Sequence, residues 1–539
     1  EKGWAWNAIG TLKYIGDRQA PDYVLSNTGN REGNISGDVK YIGNRYDVSA
    51  YYSFYNATIG IAAASHIGNV SDLVRAINSG MPDVINPFTY NINAPRQEVQ
   101  HQIAKLNYNR QLSDSGTLSL QYAFQQNRRK EYDLRRGAFE NVPALDLTLT
   151  THSAQADWKR EQDKLTLNAG IGGSLQTNSA SADTGIRPLI PDYTKTDGGA
   201  YATASYKVTE RLIADAGLRY DFSHVDAQKY YQKTRWESLG YEGLYNNFIT
   251  ADYGTQWLTN PNYTYHNISA SAGVRQVLSR AYSLSANAGL AVRNPNPSEL
   301  FSDGLHHSNA TIELGNLGMQ KEKALKFSAT AAKSEGSFTF EVSPYLNSIT
   351  DFIYLQPTGI EYTIRGAFPV YSYKQTNALL WGADLHAQWQ ITPGLRYTLN
   401  GAYVNGTDTR SNLPLVDMPP LNFRNTARYT FENPSALYLE LESEAVFRQN
   451  RYPDNNFYTD VLTDGATVST LVDISTPPAG YQLVNFRFGA SFRLFGLQSS
   501  ATFAVSNLLN TSYRDYLNRQ RFYTAEAGRN FTLQLRINY

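Results

Sequence analysis

The sequence predicts an all-β protein, a transmembrane antiparallel β-barrel of about 20 strands, and three observations carry that prediction. Apolar and polar residues alternate with period two in segment after segment, the pattern of strands with two differently solvated faces. The connections between these segments are alternately short and long. The composition joins weak hydropathy to many aromatics. A mean hydropathy of -0.45 and 18% charged residues argue against membrane helices, yet 13% of residues are aromatic, with 39 Tyr against 3 Met. A membrane barrel has this balance because only alternate residues meet lipid and aromatic rings collect at the interfaces.

The elements follow in order along the 539 residues. Gly3 to Tyr14 reads as a first rising strand. Further on, Leu118, Leu120, Tyr122 and Phe124 alternate with Ser119, Gln121 and Ala123. Leu165, Leu167, Ala169 and Ile171 alternate with Thr166, Asn168 and Gly170. Leu395, Tyr397, Leu399 and Tyr403 do so with Arg396, Thr398, Asn400 and Ala402. At the end, Phe531, Leu533, Leu535, Ile537 and Tyr539 face one way, Thr532, Gln534, Arg536 and Asn538 the other. Polar turns join the strands on one side, from Gly43-Asn44 through Asp114-Gly116 and Asn433-Ser435 to Phe495-Leu497. On the other side lie long segments, Ala62 to Arg96, Phe222 to Tyr265, Asn294 to Lys321 and Asn450 to Gly480. Short periplasmic turns below and long extracellular loops above are the asymmetry of an outer-membrane barrel.

Nine short turns define nine strand pairs, and a first and a last strand bring the count to about 20, an even number. Glu1-Lys2-Gly3 reads as the end of a tenth turn. The sequence therefore predicts about 22 strands in the full protein, residues 1–539 being its barrel portion without the first hairpin.

Several function classes are excluded. There is no cysteine, so no disulfide, thiolate nucleophile or cysteine metal site. Equal numbers of basic and acidic residues, 48 each, give a nucleic-acid partner no electrostatic footing. Neither a phosphate-binding loop, a zinc-protease helix nor a nucleophile elbow is present, so an enzyme is not expected.

Three further segments carry a resemblance. Val505-Ser-Asn-Leu-Leu-Asn-Thr-Ser-Tyr513-Arg-Asp-Tyr516-Leu with Glu526-Ala-Gly-Arg-Asn-Phe531, the Val416-Asp-Met-Pro-Pro420 stretch, and Ser65-His-Ile-Gly-Asn69 with Pro95-Arg-Gln-Glu-Val-Gln-His101 are similar to elements of TonB-dependent outer-membrane receptors. Between the last two, Val70 to Asn78 reads as a short loop helix stopped by Gly80. The resemblance implies a bacterial outer-membrane receptor contacting lipid, an N-terminal plug that engages TonB, and import of a small metal complex. No resident cofactor is implied; metal or haem would be cargo.

The most informative loop runs Val292-Arg-Asn-Pro295 through His306-His307 to Gly315-Asn-Leu-Gly-Met-Gln-Lys-Glu322. It is similar to the histidine-bearing loop of haem-uptake members, and Gly304 to Asn316 also resembles zinc-uptake members. Imidazole ligates both haem iron and zinc. His306 and His307 are therefore candidate substrate and metal ligands, although neighbours in an extended loop point opposite ways. His66 and His101 flank one extracellular segment and are expected to meet across the mouth. Tyr230 and Tyr231 are candidates for stacking on a flat ligand. His152, His224, His266 and His386 are expected to make hydrogen bonds on the lumen side. Arg396, Arg487, Arg493 and Arg536 are expected in a lumen ion-pair lattice. Active import of haem, zinc or a ferric siderophore is the leading reading; a passive pore or an adhesion barrel is the alternative.

Overall fold

The computed structural model describes residues 2–65, 69–135, 137–363, 366–432, 436–463 and 465–538. Among them, twenty strands form one sheet in which each strand pairs antiparallel with the next in sequence. They are β1 Gly3–Ile15, β2 Asn30–Ile42, β3 Tyr46–Gly60, β4 Arg96–Ser113, β5 Gly116–Tyr132, β6 Leu145–Glu161 and β7 Leu165–Ala180. Next come β8 Asp192–Thr209, β9 Leu212–Gln232, β10 Asn262–Val277, β11 Tyr282–Arg293, β12 Glu322–Lys333, β13 Phe338–Thr363 and β14 Gly366–Gln390. The last six are β15 Leu395–Asp408, β16 Asn422–Thr430, β17 Tyr438–Val446, β18 Tyr481–Leu494, β19 Leu497–Ser506 and β20 Asn530–Asn538. The wall is thus all-β, with the strand number that the turns predict.

The turns fall where the polar breaks stand, at residues 43–45, 114–115, 162–164, 210–211, 278–281, 334–337, 391–394 and 495–496. The expected turn at Asn433-Ser435 lies outside the described residues. In the tightest, Phe495 (φ 51°) and Gly496 (φ 82°) both take positive φ, the conformation that lets a two-residue turn follow the twist of its strands.

Two loops differ from expectation. The segment Phe222 to Tyr265 is shorter as a loop, because β9 continues to Gln232 and stays in register with β10 from Asp226↔Asn262 downward. Its β-branched and aromatic residues sustain a strand beyond the lipid. β13 and β14 stay paired out to Thr363↔Gly366 and extend past their neighbours as a protruding antiparallel pair.

Parity sets the wall's two solvents. Leu218, Ile268, Leu284 and Phe327 point outward and are 60%, 60%, 47% and 49% exposed, because lipid is their partner. The intervening residues pair strand to strand on the lumen face. On β16, β17 and β18, Arg424 contacts Glu444 at 3.2 Å, Arg428 contacts Glu440 at 3.6 Å, and Arg487 bridges Glu440 and Glu442. Arg487 thus sits in a lumen ion-pair column, and Arg396 donates to Gln390 at 3.3 Å near the periplasmic turn.

The histidines correct one expectation. His152, His224 and His266 share the outward face. Tyr122 meets His152 at 2.8 Å beside Phe124, and Tyr220 meets His266 at 2.7 Å beside Phe222. This Tyr-His-Phe trio occurs twice, four strands apart, where an aromatic girdle would meet the headgroups. Of the four, His386 faces the lumen, against Asn400 at 2.8 Å.

Candidate functional site

The extracellular end is a packed layer. The helix Val70–Ser79 (α1) starts at Asn69, whose side chain accepts from the Asp72 amide, and stops at Gly80 with φ 69°. Its Leu73, Val74 and Ala76 pack with Val461, Val472, Ile474, Phe522 and Tyr523 from two other loops. The expected helix therefore exists and serves as a clamp between loops.

The segment from β11 to β12 forms a strap over the mouth. Arg293 closes β11 and forms paired hydrogen bonds with Glu322 (3.1 and 3.1 Å) while also holding Glu299 (2.9 and 3.1 Å). Pro297 opens the short helix Pro297–Phe301 (α2), and Asn296 and Glu299 form its capping box. A tight hairpin follows, Asp303–His306 against Thr311–Leu314. Residues 312–314 then run parallel to 370–372 on the upper part of β14. Gly315 is required where the strap returns, since a Cβ there would lie 2.6 Å from the Leu300 backbone.

Leu300 and Phe301 are 0% exposed, in a core with Tyr193, Tyr231, Trp236, Tyr241 and Leu317. Tyr231, Trp236, Tyr241 and Tyr245 stack edge to face in succession, with centroids 5.2 Å apart at three contacts. Tyr241 accepts from the Leu317 amide at 3.1 Å, and burial raises its phenol to about 12.

Charged groups tie the strap to strands around the barrel. Asp303 meets Arg187 at 3.2 Å, Lys229 at 3.5 Å and Arg235 at 4.0 Å. Lys229 stands at the extracellular end of β9, beyond its last pairing with β10. It is fully buried and donates to the Phe301 carbonyl at 2.7 Å. Burial lowers its pKa to about 8, against the pull of Asp303. Across the mouth, Arg129 on β5 donates to His306 Nε2 at 2.8 Å and also binds Glu131. A guanidinium can only donate, so Nε2 accepts and Nδ1 carries the proton toward Glu313 Oε1, 2.9 Å away. Burial pushes the Glu313 carboxyl up, but the bond from His306 and the nearby Arg519 together outweigh it, so it lies below the usual range.

The sequence candidates other than His66 now have positions. His306 and His307 diverge, as neighbours must: His307 is buried and faces Asp133 at 3.3 Å. Both nitrogens of His306 already have protein partners. Among the described residues no three His, Asp or Glu side chains stand close enough to hold an ion. In this arrangement the pair ties the strap to the wall, His306 to Arg129 and His307 to Asp133. Tyr231 is 2% exposed, its ring packed in the aromatic core, so it has no face for stacking on a ligand. Tyr230 points the other way, half exposed against Tyr253 at 5.8 Å. His101 lies on the lumen face of β4 with Lys105 and Asn107, in register with Tyr55 and Asn127. His66 lies outside the described residues.

Sequence reasoning missed Arg129, Lys229, Asp303 and Glu313, which are ordinary residues in the sequence and gain meaning only where the loops meet. It also missed a recess of about 430 Å³ in the lumen wall just below the strap, whose lining includes Arg293 and Asn294.

A family model described as "TonB dependent receptor-like, beta-barrel" matches residues 21–508. Solved structures share the fold at low identity. The copper transporter OprC superposes with TM-score 0.70 at 14% identity, over 99% of this chain and 75% of that one. The ferric-catecholate import receptor Fiu from K12 E. coli gives 0.66 at 12%, over 99% and 77%. The FrpB iron transporter from Neisseria meningitidis (F3-3 variant) gives 0.64 at 15%, over 99% and 76%.

Proposed function

Because the chain belongs to the TonB-dependent receptor family, and so lies in the outer membrane, we propose that it is a receptor barrel for TonB-coupled import of a metal or metal complex, of the haem, zinc or ferric siderophore class. One observation carries the reading over a passive pore: the strap bridges the mouth, tied to β5, β9 and β14. A standing pore gains nothing from a built closure, whereas a receptor that releases its cargo inward needs one. The copper and iron transporters that share the fold support a metal-containing substrate.

The open edges of the wall support a plug and a further hairpin in the complete protein. Every residue of β20 is exposed, and β1 is exposed along nearly its whole length on both faces. Among the described residues no ladder joins β20 to β1. Unpaired backbone cannot face lipid, so additional strands belong between these edges. We assign the lumen to a plug that carries the TonB contact.

Growth of a deletion strain on haem, zinc or siderophore iron as sole source tests the import reading. Loss of growth on one source, restored by the gene only when TonB is present, is expected. Restoration without TonB, together with a steady open conductance of the purified protein, would instead establish the passive pore.

A further inference from the structure

We propose that the recess under the strap seats the organic portion of a neutral metal chelate bearing hydroxyl or amide groups. The proposal rests on the import reading and narrows its substrate class.

The recess follows from the register of the wall. The ladders place Gln121, Gln155, Gly172, Gly199, Asp221 and Asn267 at one height on the lumen face, one residue from each of β5 to β10. The two glycines at its centre withdraw the wall. A Cβ at Gly199 would lie 2.5 Å from Asp221 Oδ1, so glycine there lets the carboxylate lie flat. The row above is short as well, with Ser153, Ser174, Asp197 and Ser223.

Two buried lining atoms have no partner, Ser223 Oγ (residue 3% exposed) and Asn267 Oδ1 (4%), while Asn267 Nδ2 donates to Asn294 Oδ1 at 2.9 Å. A buried polar atom without a partner is a rarity that a ligand group can resolve. The charged lining groups are already satisfied. Asp221 is held by Arg219 at 2.6 to 2.9 Å, Asp197 by Lys195 at 2.6 Å, and Arg293 by Glu299 and Glu322. An anionic chelate would have to break one of these pairs to find a cation, and a bare ion finds no cluster of ligands. A neutral ligand suits what remains, with an N–H or O–H donated to Asn267 Oδ1 and a carbonyl accepting from the Ser223 hydroxyl.

The test uses the full-length receptor in its outer membrane, with a neutral ferric trihydroxamate labelled with radioactive iron as probe. An anionic ferric tris-catecholate and Cu²⁺ serve as comparison probes. Gly172→Leu fills the recess, since a Cβ there meets nothing closer than the Ala154 carbonyl at 3.3 Å. Ser223→Ala with Asn267→Ala removes the two unpartnered atoms without filling the recess. Gly198→Leu, on the outward face with open space around it, is the control. Each of the first two changes is expected to weaken trihydroxamate binding roughly tenfold, the equivalent of about one good hydrogen bond, with the control unchanged. Unchanged trihydroxamate binding in both variants overturns the proposal, as does binding of the catecholate or Cu²⁺ with no binding of the trihydroxamate. If Gly172→Leu instead lowers uptake of all three probes alike and opens a conductance in bilayers, the recess seats a polypeptide and the proposal fails. TonB-dependent uptake of none of the probes, nor of haem or zinc, by the unsubstituted receptor would remove the import reading itself.

Discussion

Leu218 in the wall is 60% exposed and Leu300 in the mouth is 0% exposed, and both are where they belong. In the wall, apolar side chains point away from the protein and polar ones pair strand to strand on the lumen face, because lipid lies outside. In the mouth, water lies outside, and apolar side chains turn inward into small shared cores. The wall is assembled from sequence neighbours, each strand on the next. The mouth joins residues far apart, such as Arg129 to His306 and the helix Val70–Ser79 to Phe522. The wall therefore gains stability ladder by ladder, while the mouth holds or opens as a unit. That difference suits a molecule whose wall must endure while its mouth lets something pass.

The comparison can be broken at several points. Trp236→Ala empties a fully buried position in the mouth and should cost about 3–5 kcal/mol there. Hydrogen exchange should rise across residues 229–261 and the strap, with β2 to β8 unchanged; loss of protection through the wall would show the two regions to be one cooperative unit. Leu218→Arg on the lipid face should destabilise the barrel by about 2–4 kcal/mol in urea unfolding from vesicles. Leu244→Arg, at an equally exposed loop position, should stay within about 0.5 kcal/mol. Equal costs at the two positions would mean that lipid does not set the wall's outer face.

Arg293→Lys keeps the charge but loses the planar contact to Glu299 and Glu322, and should loosen the root of the strap by about 1–3 kcal/mol. Faster exchange of residues 294–321 at unchanged barrel stability is the expected reading. The smallest effect concerns pH. Glu313 is depressed in the folded state, so its contribution is complete above the ordinary carboxylate range and disappears as pH falls through its lowered value. Strap exchange should therefore quicken on acidification below about pH 4, and Glu313→Gln should remove that dependence.

Legibility divided along the same line. The strand number, the turns, the loop helix with its Asn69 and Gly80 caps, and the outward face of β20 could all be read, because each depends on residues close in sequence. The side on which His152 and His266 lie was misread, because polar character suggested lumen while register with Phe124 and Phe222 fixed lipid. His306 was singled out by its neighbours in sequence, but its role came from Arg129 on β5, 177 residues away.

The sequence by itself determined the wall: period-two alternation against two solvents leaves one arrangement, and each turn only has to bring the next strand alongside. The tertiary structure alone decided the mouth and the recess. Which loops meet above the lumen depends on where the wall sets their ends. Gly172 and Gly199 form a hollow only because one ladder sets them directly opposite each other. Such meetings depend on the register accumulated over many strands, and no local pattern encodes them.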